Sequence, residues 1–315
     1  MKVAIVGATG ETGRSVVDGL LNAESDFEIT ALIRPQSLSK RAVQDLKSRG
    51  VRVLPVDLKE ISHNVLVGNL RGIDVVISTI HFQSLSDEII LANAAKDARV
   101  GQYVPCFWAT VAARGVMALR DAKEEVLDHI QRLKLPYTAI DVGWWYQISL
   151  PSIPSGKFDY ALMAPQSGYS IFGNGDTPSA MTDLRDIGMY VGKVICDERT
   201  LNKRVFAATE TWTQNEIVGI VERVTGEEVD VTKVAAADIS AKVDELRASN
   251  TGLNQEHATY EYFNSWGVRG DNTVEDARYL GYLIFDDLYP GVKGRGFEEF
   301  VRDALDGKVQ KVYGA

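Results

Sequence analysis

The sequence has few of the residues that build metal sites and disulfide frameworks. Its two cysteines, Cys106 and Cys196, are far apart and form no CxxC motif, and its 4 histidines lack metal-ligand spacing. We therefore expect no disulfide framework, no structural zinc site and no metal cofactor. This cysteine usage is typical of a reducing, cytoplasmic setting.

Long apolar runs and an excess of basic residues are also missing. No stretch of 18 or more apolar residues is present, so we expect no membrane span. A net charge of -9 at pH 7 argues against a nucleic-acid partner, which normally requires a basic face. A strand predicted from Lys2 leaves no room for a signal peptide. The chain has 315 residues, of which 45% are hydrophobic, and this is enough for a large core and two lobes. We expect the protein to be a monomer or a homodimer.

The first 150 residues alternate between short apolar runs and amphipathic segments. Runs rich in β-branched residues predict strands at 2–8, 27–34, 51–58, 74–80, 102–108 and 137–143. Apolar stripes and polar segments between them predict helices at 12–21, 39–47, 85–97 and 116–133. The alternation of strands and helices predicts an α/β fold of the Rossmann type, with a doubly wound parallel sheet.

The pattern loosens after residue 150, where proline and glycine become frequent. We predict a dinucleotide-binding domain over residues 1–149. Residues 150–315 are predicted to form mainly a smaller α+β lobe that binds substrate, with some segments returning to the first sheet. Residues 236–249 read as a solvated helix and not as a site.

Three glycines follow the first predicted strand in the turn GATGETG, residues 7–13. Gly7 permits a tight turn, Gly10 lets the backbone approach a pyrophosphate, and Gly13 allows close helix–strand contact. The GxxGxxG spacing is a variant of the GxGxxG fingerprint, and the alternative is a plain glycine-rich turn. The turn predicts a dinucleotide site, with the candidates Gly7, Thr9, Gly10, Glu11, Thr12 and Gly13.

The end of the second predicted strand indicates which dinucleotide binds. Sites that prefer NAD place an acid there, whereas this sequence has Arg34, followed by Lys40 and Arg41. A guanidinium fits a 2′-phosphate, and a carboxylate would repel it. Arg34 and Lys40 therefore favour NADP(H), the alternative being a solvated strand end.

Lys123 is the candidate catalytic residue. It lies at the centre of an apolar stripe that includes Leu119, Val126 and Leu127, and no carboxylate stands three or four residues away. A lysine on an inward face needs water, a partner or a ligand, and burial or a cofactor charge can tune it for proton transfer. The alternative is a lysine whose stem lies on the core while its amine reaches solvent. Leu119 stands where common short-chain dehydrogenases have the tyrosine of Tyr-x-x-x-Lys.

These motifs resemble the isoflavone reductase-like, NmrA-like branch of atypical short-chain dehydrogenases/reductases. The resemblance covers nearly the whole chain and rests on GATGETG, DVVIST, YVPCFW, LPYTAI, FGNGDTPSAMTDLRDIG and YPGVKGRGFEEFV. It implies NADPH as cofactor, a Rossmann domain with a smaller C-terminal substrate lobe, and a catalytic lysine at Lys123. Family members that are enzymes mostly reduce aromatic, phenylpropanoid-like or polyketide-like substrates.

The resemblance also implies further cofactor contacts near the carboxyl ends of the later strands. Asp57 and Leu58 correspond to the adenine contact, and the remaining candidates are Thr79, His81 and Cys106. His81 is equally well explained as a loop residue. Cys106 has no base beside it in sequence and reads as a small buried residue, not a nucleophile.

The sequence departs from the family where the substrate pocket is expected. Pro-Cys-Phe-Trp-Ala at 105–109 replaces the usual Pro-Ser-Glu-Phe-Gly, and Gly-Trp-Trp-Tyr occupies 143–146. Aromatic side chains just past a strand suit a flat aromatic ligand. The predicted substrate contacts are Phe107, Trp108, Trp144, Trp145 and Tyr146.

The predicted function is an NADPH-dependent reductase of a small aromatic or conjugated-carbonyl metabolite. Lys123 would handle the proton or the developing oxyanion. Two alternatives remain open: an NADP-sensing regulatory protein without turnover, and a redox-neutral isomerase or cyclase that uses the same lysine.

Overall fold

The computed structural model describes residues 1–163, 168–249 and 253–313, which group into two units. The first unit comprises Met1–Trp108, Ala122–Ile140 and Arg185–Val205. The second comprises Ala109–Asp121, Asp141–Leu184 and the described part of Phe206–Ala315. This grouping differs from the predicted division at residue 149, because residues 109–121 and 141–149 lie in the second unit. The assignment of cofactor and substrate binding to separate domains stays a prediction.

Strands and helices alternate through the N-terminal half of the chain. They are β1 (Lys2–Val6), α1 (Glu11–Leu21), β2 (Glu28–Ile33), α2 (Arg41–Ser48), β3 (Arg52–Pro55), α3 (His63–Leu70), β4 (Val75–Ser78), α4 (Asp87–Asp97), β5 (Gln102–Val104), α5 (Ala118–Arg132), β6 (Thr138–Asp141), β7 (Trp144–Trp145) and α6 (Tyr146–Ser149).

The first unit contains a five-stranded sheet in the order β3-β2-β1-β4-β5. All four strand pairs are parallel, and β1 pairs with β2 in register Val3 to Ile29 and with β4 in register Val3 to Val75. The order reverses between β1 and β4, which places a topological switch point at their carboxyl ends, where ligands bind in such sheets. The predicted Rossmann-type α/β fold is confirmed.

Two local predictions for this unit were incomplete. Helix α3 was missed, because the run Val65, Leu66 and Val67 has no helical spacing. The fifth strand was predicted to 108 but ends at Val104, before Pro105, which has no N–H to donate to a neighbouring strand. A tight turn follows, in which the Phe107 N–H donates to the Pro105 carbonyl at 2.8 Å.

Shorter elements form the C-terminal half. They are β8 (Tyr169–Phe172), β9 (Ser179–Thr182), α7 (Ile187–Val194), β10 (Lys203–Phe206), β11 (Glu210–Trp212), α8 (Gln214–Thr225), β12 (Val231–Val234), α9 (Ala236–Ala248), α10 (Gln255–Tyr262), α11 (Val274–Tyr279), β13 (Leu283–Ile284), α12 (Phe285–Leu288) and α13 (Phe297–Leu305).

The second unit is built on small sheets and not on one large sheet. Strands β7 and β11 flank β9, and β8 pairs in parallel with β12. Helix α9 buries Ile239, Val243 and Leu246, so the helix predicted over 236–249 is amphipathic and not wholly solvated. Across the described ranges, no helix is both long and apolar enough to cross a membrane.

Candidate active site

The glycine turn lies between β1 and α1, and two of its glycines are required by the fold itself. Gly7 has φ of +82°, and a Cβ there would lie 2.4 Å from the Thr79 carbonyl oxygen. A Cβ on Gly13 would lie 2.1 Å from the Gly7 carbonyl oxygen. Any side chain at either position would therefore displace β4 or the helix from the turn.

Gly10 is less tightly enclosed than Gly7 and Gly13. A Cβ there would meet only the Gly7 carbonyl oxygen, at 3.3 Å. Gly10 is the N-cap of α1 and has no side chain, so no capping side chain accepts the first N–H groups of the helix. A cradle that a Cβ would fill, at a helix N-terminus, fits a pyrophosphate.

The other residues of the turn lie around this cradle. Thr9 is half-buried and Thr12 is buried. Glu11 brings a negative charge to the helix N-terminus, but Arg14 pairs with its carboxylate at 2.5 Å. The ion pair offsets the repulsion that Glu11 would otherwise exert on an anionic ligand.

Exposed cations follow the carboxyl end of β2. Arg34 and Lys40 are both exposed, and neither side chain has an ion-pair partner within the described ranges. Arg34 comes directly after Ile33, at the same edge of the sheet as the glycine turn. Cations at these positions would attract the 2′-phosphate of NADP(H).

The remaining cofactor candidates also follow strand ends, but their side chains have local roles. The Asp57 carboxylate accepts the Lys59 N–H at 3.0 Å, and Leu58 packs against the first unit's core. The Thr79 hydroxyl donates to the Val6 carbonyl at 2.8 Å, which holds β4 beside the turn. Exposed His81 accepts the Gln83 N–H at 3.4 Å and caps the short 3₁₀ turn at 82–84.

Lys123 is buried on the inner face of α5, with 6% of its surface exposed. Val126, Leu127 and Ile130 on the same face are buried, as the apolar stripe predicts. The ammonium of Lys123 donates a hydrogen bond to the backbone carbonyl of Phe107. A buried lysine thus contacts a backbone carbonyl in the turn that follows the carboxyl end of β5.

Cys106 lies in the same turn, and its thiol has low reactivity. Its thiol donates to the Ile80 carbonyl at 3.1 Å. Burial raises the pKa of this thiol to about 12, the charge of Lys123 opposing the rise and that of Glu88 adding to it. The thiol is therefore neutral at physiological pH, which agrees with the interpretation that Cys106 is not a nucleophile.

Glu88 was missed by the sequence analysis, although it lies close to Lys123. It is 1% exposed, and its Oε1 accepts the Cys106 N–H at 3.0 Å and the Tyr103 hydroxyl at 3.2 Å. Burial raises the pKa of Glu88 to about 7, against the lowering effect of the Cys106 N–H and, more weakly, of the Lys123 charge. The signal was present in the sequence: Glu88 shares an apolar helix face with Leu91 and Ala92, the pattern that singled out Lys123.

Phe107 and Trp108 were predicted as substrate contacts, but both side chains are buried in the first unit. The Phe107 ring is fully buried and lies 5.8 Å from the guanidinium carbon of Arg204, which pairs with Glu124. The Trp108 indole N–H donates to the Ser78 carbonyl at 2.7 Å. Trp108 has φ of +36°, a left-handed backbone that is strained for a bulky residue. These positions do not favour direct ring contact with a ligand.

The predicted aromatic residues of the second unit differ in exposure. Tyr146 is fully buried, donates to Glu210 at 2.9 Å and packs on Phe297. Trp145 is also largely buried, with 9% of its surface exposed, whereas Trp144 is half-buried. Tyr146 therefore belongs to the core of this unit.

Trp144 belongs to an aromatic cluster that the sequence did not reveal. Its ring centroid lies 5.4 Å from that of Tyr262 and 5.1 Å from that of Trp266. Trp266 lies in a π-helix, Phe263–Arg269, a form that is frequent at functional sites. The buried indole N–H of Trp266 has no hydrogen-bond partner in the part of the chain that is described.

The parallel sheet, the switch point and the glycine turn define a Rossmann-type α/β protein. The chain belongs to the NmrA-like family, whose model matches residues 1–301.

Characterised relatives span nearly the whole chain. It is 45% identical to the asnovolin J 5′,6′-dehydrogenase of Aspergillus novofumigatus, over 98% of this chain and 96% of the relative. It is 30% identical to pinoresinol reductase 1 of Arabidopsis thaliana, over 96% of both chains. The chain is accordingly an oxidoreductase of this family.

Solved structures share the fold. The binary complex of leucoanthocyanidin reductase with NADPH from Vitis vinifera superposes with a TM-score of 0.81 at 22% identity, covering 97% of this chain and 100% of that one. Isoflavone reductase superposes with a TM-score of 0.78 at 21% identity, covering 96% and 98%.

Proposed function

We propose that this protein uses NADP(H) to transfer hydride at an unsaturated bond conjugated to an oxygen function in a small organic metabolite, and that Lys123 moves the accompanying proton. The observation that carries the proposal is the buried Lys123 ammonium, fixed by the Phe107 carbonyl at the end of the parallel sheet. We infer that the hydride transfer is reversible: NADPH reduces the substrate in one direction, and NADP⁺ dehydrogenates the product in the other.

The cofactor assignment rests on the fit of the residues that would hold it. Gly10 and the first N–H groups of α1 would receive the pyrophosphate, and Arg34 with Lys40 would receive the 2′-phosphate. A superposable reductase is known as a complex with NADPH, which supports the same choice. When bound, NADP(H) supplies or accepts the hydride.

Lys123 would act on the oxygen that gains charge during the reaction. Addition of hydride to a conjugated carbonyl system places negative charge on oxygen, and an ammonium beside it donates a hydrogen bond or a proton. In the reverse direction the neutral amine accepts that proton. The hydrogen bond to the Phe107 carbonyl orients the side chain, and an ammonium has three N–H donors in all.

The substrate class is inferred from the names of the relatives and from the aromatic ring of Trp144. The 45%-identical relative is named a 5′,6′-dehydrogenase of asnovolin J, and others are named reductases of pinoresinol and of phenylcoumaran benzylic ethers. We keep Trp144 as a proposed contact for a ring of the substrate, because it is half-buried within an aromatic cluster. Phe107 and Trp108 belong to the turn that carries the acceptor for Lys123, and both of their side chains are buried.

An absorbance screen tests the proposal. Aromatic enones, quinones and benzylic ethers are offered with NADPH, and the reduced product of each is offered with NADP⁺. Turnover of a conjugated compound with NADPH, and much slower turnover with NADH, is expected. NADPH binding without turnover of any compound would favour a sensor, and conversion of a compound with no net change in NADPH would favour an isomerase or cyclase.

A further inference from the structure

Glu88 is a buried acid that the proposed reaction does not yet use. It lies on α4 among the apolar residues Leu91, Ala92 and Ala95, and 1% of its surface is exposed. Burying a carboxyl group without full hydrogen bonding is unfavourable. One oxygen, Oε2, has no hydrogen-bond partner in the described ranges. An apolar residue would fill the position without this penalty.

A short path of contacts connects Glu88 to Lys123. Glu88 Oε1 accepts the backbone N–H of Cys106 at 3.0 Å. The next residue, Phe107, offers its carbonyl to the Lys123 ammonium. The acid on α4 therefore holds the turn after β5, and the turn holds the lysine on α5. The ammonium also lies near enough to act by charge on both Glu88 and Cys106.

Few other titratable groups face Glu88. Tyr103 of β5 donates to it at 3.2 Å, and β4 contributes only the uncharged Ser78. On its own helix, Asp87 pairs with Lys59. On the neighbouring α3, the titratable side chain is the exposed His63, paired with Asp97. Within the described ranges, Lys123 is thus the cation that acts on Glu88.

We propose that Glu88 is a positioning residue for Lys123. Its Oε1 holds the Cys106–Phe107 turn that receives the ammonium, and its negative charge keeps that ammonium protonated. This inference rests on the proposed proton-transfer role of Lys123. Burial raises the pKa of Glu88 to about 7, so the carboxylate is present above neutral pH, where a buried lysine is most at risk of losing its proton.

An infrared titration of the free protein tests the electrostatic part without turnover. The protonated carboxyl band of Glu88 should disappear around pH 7 in the wild type and be absent from Glu88→Gln. Lys123→Met removes a charge that lowers the pKa of Glu88, so the transition should move to higher pH. Lys233→Met removes an exposed lysine on β12 and should not move it. An unmoved transition in Lys123→Met overturns the proposal.

Kinetics in both directions test the positioning part. Glu88→Gln keeps an oxygen for the Cys106 N–H but loses the negative charge, so the ammonium is easier to deprotonate. In alkaline buffer, NADPH-driven reduction should fall and the reverse oxidation should rise, both profiles shifting to lower pH by about one unit. Glu88→Ala also releases the turn and should lower kcat roughly 10- to 100-fold, with the KM for NADPH nearly unchanged.

The outcomes separate this inference from the proposed function. Unchanged pH profiles in Glu88→Gln, with turnover abolished in Lys123→Met, overturn the positioning role and leave the catalytic lysine in place. Full turnover in Lys123→Met overturns both. A general packing defect in Glu88→Gln would lower the two directions equally, and that result also contradicts the proposal.

Discussion

The side chain of Lys123 and the backbone of Phe107 are joined by a hydrogen bond from ammonium to carbonyl, in the buried interior of the first unit. The Phe107 side chain does not make this contact, so a substitution there leaves the acceptor in place. The geometry of the acceptor depends on the turn that follows β5, which Glu88 holds from α4. The backbone at Phe107 therefore helps to position the lysine, and the predictions below probe what surrounds it.

Replacement of Gly10 by valine should abolish NADPH binding while the protein stays folded. The branched side chain fills the space over the helix N-terminus, and its Cβ needs only a small adjustment from the Gly7 carbonyl at 3.3 Å. Calorimetric titration with NADPH and circular dichroism measure the two effects. Gly68→Val, at a helical glycine with open space around it, is the matched control. Unchanged NADPH affinity in folded Gly10→Val would show that the turn is only structural.

Replacement of Arg34 by alanine should reduce the preference for NADPH over NADH. Loss of a charge-assisted hydrogen bond to the 2′-phosphate costs about 1.5–3 kcal/mol, or roughly 10- to 150-fold in NADPH affinity. NADH affinity should hardly change. Arg52→Ala, at the amino end of β3, is the control. Equal affinity of the wild type for both cofactors would rule out the assignment.

The two cysteines should differ sharply in reactivity. Burial raises the pKa of Cys106 to about 12, whereas Cys196 is exposed. Near pH 8 only about 10⁻⁴ of the Cys106 thiol is ionised, so iodoacetamide should modify Cys196 first in the native protein. Both should react after unfolding. Intact-mass and peptide analysis follow the reaction, and equal native rates at the two sites would contradict the buried thiol.

Stability should depend on pH through Glu88. Its pKa rises on folding from 4.5 to about 7, so the folded state binds more protons in that interval and stability falls as pH rises through it. Glu88→Gln should therefore gain stability relative to the wild type, by up to ~3 kcal/mol above pH 7. Below about pH 4.5 the difference should become constant. Urea unfolding measures it, and two parallel stability curves would disprove the claim.

The sequence predicted the five strands of the parallel sheet, because the signals for each strand are local, but it did not show that β6 pairs with β10 instead. Short apolar runs ended at glycine or a charged residue, and the spacing of Gly7 and Gly13 matched the steric needs of the turn. The inward position of Lys123 followed from helical periodicity alone. Helix α3 was not predicted, because its three consecutive apolar residues, 65–67, hide the helical periodicity.

The candidate site was only partly predictable, because side-chain contacts join distant parts of the chain. Glu88 accepts the Cys106 N–H because β5 brings the chain back beside α4. A local sequence pattern does not predict such a contact. Phe107 and Trp108 are aromatic and follow a strand, yet a tight turn after Pro105 directs them into the core. The contact of Trp144 with Trp266 depends on the packing of the second unit.

The most direct test of the account is steady-state turnover by Lys123→Met, with a substrate identified in the NADPH screen. Methionine retains much of the buried stem but has no proton to transfer, so kcat should fall by roughly 10²–10⁴-fold. The dissociation constant for NADPH should change far less, and the exposed-lysine control Lys233→Met should match the wild type in both. If Lys123→Met instead keeps near wild-type turnover, the catalytic assignment of Lys123 is wrong.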